Sequence, residues 1–143
     1  MANQEAPQLT EEQRAAWVRD KFQAANKYLA EKGIITTKVL TKESRYVAPL
    51  VAVWKFETSE NMKVWVISGD LPTDHVGVQA ATNAKDAMRH FALSWQMKAE
   101  NILQELRTRP DQTQYQFAQL LIKRGEDLYS LVDDDSLWQA EPV

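Results

Sequence analysis

An α+β domain is what this chain predicts, and three observations carry the prediction. Residues 10–32 repeat apolar side chains at helical spacing, residues 34–68 switch to short β-branched and aromatic runs, and residues 83–132 return to helical spacing around Pro110. The expected order is α-β-β-β-(β)-α-α: an N-terminal helix, a three- to four-stranded antiparallel meander, then two C-terminal helices packed on the sheet. At 143 residues the chain fits one domain, residues 1–143, with flexible ends expected at 1–9 and 139–143.

The first helix begins at Thr10, which stands three residues before Gln13 as a capping box requires, and Glu11 and Glu12 suit the positive end of the helix dipole. Val18, Phe22, Ala25 and Leu29 recur on one face, widened by Trp17, Ala24 and Tyr28; Gly33 supplies the stop.

ITTKVLT (residues 35–41), LVAVWKF (residues 50–56) and KVWVIS (residues 63–68) read as strands. Pro49 marks the start of the second, because its missing amide is poorly tolerated inside a central ladder. There Leu50, Ala52, Trp54 and Phe56 point one way and Val51 and Val53 the other, so both faces are apolar. Either helices or a second copy must cover the second face. Val76 and Val78 supply a short fourth strand at the edge.

Asn83 caps the next helix, whose stripe is Met88, Phe91, Trp95, Ala99, Ile102 and Leu106. Leu93 and Met97 form an apolar patch opposite, which predicts a helix held between two layers. Pro110 separates it from a third helix carrying Phe117, Leu120, Leu121, Leu128 and Leu131. Gly125 lies within that helix, at a cost of about 1 kcal/mol relative to alanine. Asp133 to Asp135 would oppose the negative helix end, so the helix should finish near Leu131 or Val132.

Composition narrows the function classes. A chain that is 44% hydrophobic and 26% charged is globular, and with no cysteine it has no disulfide, thiol nucleophile or thiolate metal site. The net charge of -3, with lysines and arginines scattered, gives no cationic stripe for nucleic acid. MANQEAPQLT is not a signal peptide and no apolar run reaches membrane-spanning length, so a cytoplasmic protein without membrane contact is expected.

Candidate chemistry gathers in VWVISGDLPTDHV (residues 64–76), where Asp70, Asp74 and His75 follow a strand. As a turn, Gly69 leaves the strand with positive φ, Pro72 fits a tight bend, and Asp70, Thr73 and Asp74 bond local amides. As a site, two carboxylates and an imidazole on a loop could transfer protons or hold a metal. Asp86 and His90, one helical turn apart, would extend this to two histidines with carboxylates, a set that suits zinc. Ser68, Asp70 and His75 supply triad chemistries, yet no GxSxG elbow exposes a nucleophile, and no phosphate-binding glycine motif occurs. Arg45, beside Glu43 and Tyr46, could grip an acidic ligand group or pair with a loop carboxylate. Trp138, beyond the aspartates, either folds back or serves as a partner contact.

ESRYVAPLVAVWKF (residues 43–56), VWVISGDLPTDHV, DAMRHFALSWQMKAEN (residues 86–101) and LYSLVDDDSLW (residues 128–138) together resemble a family of small uncharacterised bacterial proteins, mostly gammaproteobacterial, classified as a domain of unknown function. The resemblance implies a bacterial, cytoplasmic origin and brings no activity, cofactor or site residue.

The residues therefore favour a non-enzymatic cytoplasmic module for protein interaction or regulation, with an unknown partner or itself as a homodimer, and no cofactor. The alternative is a protein, an enzyme included, that binds a small molecule or divalent metal through Asp70, Asp74 and His75 with Arg45, Asp86 and His90. That alternative requires the six groups to converge on one cavity.

Overall fold

The computed structural model describes residues 9–138. The flexible ends expected at 1–9 and 139–143 lie, except for Leu9, outside the described residues. In chain order the elements are α1 (Glu11–Glu31), β1 (Thr36–Val39), β2 (Arg45–Val47), β3 (Val51–Thr58), β4 (Lys63–Gly69), β5 (Asp74–Gly77), α2 (Ala84–Glu105) and α3 (Gln112–Val132), with short 3-10 turns after β1, β5 and α3. No helix among them is long and apolar enough to cross a membrane.

The sheet is antiparallel in the order β1-β3-β4-β5. β2 pairs with the opening half of β3, on the edge where β1 pairs with its closing half, so the two short strands form one interrupted edge. The fourth strand is longer on its N-terminal side than expected, starting at Asp74 and ending before Val78, which lies in a 3-10 turn. Leu50 is also displaced from its expected place. It sits in the turn after Pro49 and packs with α2 and α3, whereas Ala52, Trp54 and Phe56 face α1.

Both faces of the sheet are covered by the chain's own helices. Ala25 and Leu29 of α1 pack with Ala52, Trp54, Phe56 and Val66 on one side. On the other, Val51, Val53, Trp65 and Ile67 meet Phe91 and Trp95 of α2 and Leu121 and Leu128 of α3. Strand alternation separates neighbouring residues into two cores, which is why β3 is buried almost throughout. A second copy is not needed to cover the sheet.

The helix ends follow their caps. Thr10 and Gln13 form the reciprocal pair at α1, the Asn83 side chain accepts the Asp86 amide at α2, and Asp111 accepts the Gln114 amide at α3. Gly125 lets α3 approach α2 closely: a Cβ there would lie 3.2 Å from the Ala92 carbonyl oxygen. The predicted second layer over α2 is absent among the described residues. Leu93 and Met97 are 50% and 60% exposed, because α3 lies beside α2 and leaves its outer face to solvent.

Candidate functional site

The SGDLPTDHV segment is tied to its surroundings through Ser68, Asp70, Asp74 and His75. Gly69 leaves β4 at φ 140°, where its missing side chain also lets the Leu50 carbonyl approach, and the Asp70 amide then donates to that carbonyl at 2.9 Å. The exposed Asp70 carboxylate pairs at 3.6 Å with Arg124 of α3. Arg124 also bonds Asp127 at 2.9 Å, and Lys123 bonds the same carboxylate at 3.0 Å. Burial works against ionisation of Asp127 and is the largest influence on it. The bonds and charges of Lys123 and Arg124 together outweigh burial and hold the carboxyl below its ordinary range.

Asp74 and His75 belong to β5 rather than to a loop, and successive residues of a strand face opposite ways. One Asp74 oxygen accepts the indole N–H of Trp95 at 3.0 Å, on the α2 side, and the other accepts the His75 amide at 2.8 Å. The His75 ring turns to α1, with Nδ1 2.9 Å from the Tyr28 hydroxyl. Burial, followed by the charge of Asp74, raises the Tyr28 phenol above its ordinary value.

The remaining candidates stand elsewhere. Asp86 accepts from Thr82 at 3.2 Å and pairs with Arg89 at 2.9 Å, while the His90 ring lies against Phe91, with centroids 6.0 Å apart. His90 is on α2, across the sheet from the His75 ring, so the two histidines do not share a site. No three His, Cys, Asp or Glu side chains converge to hold a metal among the described residues. Arg45 lines a cleft of about 770 Å³ with Lys42, Tyr46, Met88 and Trp138. Trp138 folds back, its indole donating to the Leu131 carbonyl at 2.9 Å.

A smaller but more apolar concavity than the Arg45 cleft lies beside α1, and of the residues just named Tyr46 alone borders it. α1 is longer than the surface that covers its apolar stripe: Ala25 and Leu29 are fully buried, whereas Val18 and Phe22, nearer its start, are only half-buried. Between that uncovered half and the β1/β2 edge runs an open groove of about 590 Å³, within the usual size range of ligand pockets. Ala15, Val18 and Phe22 form one wall, Val39 and Tyr46 the other, and Trp54 the floor. Trp54 is held by its own bonds, donating at 3.0 Å to Ser68, whose hydroxyl donates to the Lys21 carbonyl at 3.0 Å. Phe22 meets the Trp54 ring edge-on at a centroid distance of 5.5 Å, and Trp17 contacts Tyr46 at 6.5 Å.

A family model, "Domain of unknown function (DUF4826)", matches residues 11–138. The chain belongs to that family. The match begins with α1 and ends at Trp138, so both the groove and the β4–β5 segment are parts of the DUF4826 domain. No curated protein and no solved structure matches the chain.

Proposed function

We propose that this DUF4826 protein is a binding protein whose ligand is a small apolar molecule held in the groove between α1 and the β1/β2 edge. The observation that carries this reading is the half-buried Val18 and Phe22 over Trp54 in a groove of about 590 Å³. Apolar side chains left in contact with water gain about 25 cal/mol for each Å² a ligand covers. The floor is already rigid through the Trp54–Ser68–Lys21 chain, so little ordering opposes binding. Of the earlier candidates, Asp74, His75 and Trp138 serve as fold contacts, and Tyr46 joins the groove wall.

The test is titration with 1-decanol, followed by calorimetry and by the NMR signal of the Trp54 indole N–H, identified with Trp54→Phe. The expected result is saturable binding with a selective shift of that signal, lost in Val18→Trp, which fills the groove. A Trp54 signal that stays fixed throughout the titration would refute the reading.

A further inference from the structure

The groove has a charge pattern as well as an apolar one. On α1, Glu11, Ala15, Val18 and Phe22 share one face, and Arg14 and Arg19 flank it on opposite edges of the stripe. Both arginines are exposed, and neither is ion-paired within 4.0 Å among the described residues. Several other basic side chains do have acidic partners, among them Lys55 with Glu43, Arg89 with Asp86, and Lys123 and Arg124 with Asp127. In a chain of net charge -3, two guanidinium groups and one carboxylate therefore border the apolar groove, which gives it a local positive excess.

We infer that the groove takes an amphiphile with an unbranched apolar chain and a carboxylate head. The chain would lie along Val18 and Phe22 over Trp54, and the head would reach the rim, where a guanidinium binds a carboxylate through two parallel N–H bonds. The arrangement suits this ligand for a physical reason. The apolar part gains by leaving water, while the carboxylate stays at the exposed rim and avoids the cost of burial. A neutral apolar ligand would leave Arg14 and Arg19 unused, and a cationic one would meet them as like charges.

This inference rests on the groove reading, and the experiment separates the two. Decanoate and 1-decanol are titrated by calorimetry at neutral pH into wild type and into Arg14→Glu/Arg19→Glu, with circular dichroism to confirm that the variant is folded. Wild type is expected to bind decanoate at least about tenfold more tightly than decanol, and the variant to lose that preference while still binding decanol. Added salt should weaken decanoate and leave decanol unchanged. Equal binding of both ligands by wild type, or an unchanged preference in the variant, overturns the carboxylate inference and leaves the groove reading standing. Binding of neither ligand overturns both.

Discussion

Replacing Asp74 with alanine separates a structural role for this carboxylate from a ligand-binding one. Its Oδ2 is the acceptor for the indole N–H of Trp95, a side chain 1% exposed, and Oδ1 receives the His75 amide. Alanine leaves the indole N–H of this buried ring without its acceptor, and an unsatisfied buried donor costs about 1–3 kcal/mol. Unfolding entropy of about 2.1 cal/mol/K per residue gives roughly 0.3 kcal/mol/K for 143 residues, so a loss of about 2 kcal/mol lowers the Tm by about 7 °C. Scanning calorimetry of wild type, Asp74→Ala, Trp95→Phe and the double variant measures this directly. Because phenylalanine has no N–H to strand, Asp74→Ala should cost much less in the Trp95→Phe background. Strictly additive losses would refute the indole–carboxylate bond as the cause. An Asp74→Ala variant as stable as wild type would return Asp74 to the candidates for binding, since residues kept for function often cost stability.

Two further predictions concern the same end of the fold. Gly69→Ala should destabilise by about 2 kcal/mol or more, because φ is 140° there and a Cβ would collide with the Leu50 carbonyl and lie 2.9 Å from the Val51 Cα; urea denaturation checks it, and a neutral effect would contradict the tight turn. Tyr28, its proton held above the ordinary value of 10.0, gives a pH signature: its contribution is complete below pH 10.0 and is lost above it, as the unfolded chain ionises first. Urea midpoints between about pH 8 and 11 should fall less steeply for Tyr28→Phe than for wild type, and parallel curves would contradict the assignment.

Much of the fold was legible because it rests on local rules. Thr10 with Gln13, Asn83 before α2 and Pro110 after it mark helix ends through backbone chemistry that a few neighbouring residues decide. The two-sided apolar pattern of β3 likewise showed a covered sheet. Arg45–Val47 was missed as a strand because three residues with no apolar alternation carry no period of their own; pairing with β3 makes them a strand. Leu93 and Met97 misled in the opposite direction. An apolar pair at helical spacing looks the same whether a layer covers it or solvent does, and only the position of α3 decides.

The candidate site was harder to read for a related reason. Residue type drew attention to Asp70, Asp74, His75, Asp86 and His90, yet Asp70, Asp74 and His75 are matched to partners whose position the sequence does not state: Arg124, Trp95 and Tyr28. The adjacency of Asp74 and His75, which suggested a cluster, is what sends them to opposite faces once the segment is a strand. The groove has the converse logic. Val18 and Phe22 look like core residues in any helical projection, and they differ from Ala25 and Leu29 only because the β1/β2 edge leaves their part of the helix uncovered. What distinguishes the open groove from a core here is therefore the mismatch in length between a helix stripe and the sheet beneath it, a property of the assembled layers that no single element carries. Arg14 and Arg19 border that stripe, and neither has an ion-pair partner within 4.0 Å among the described residues.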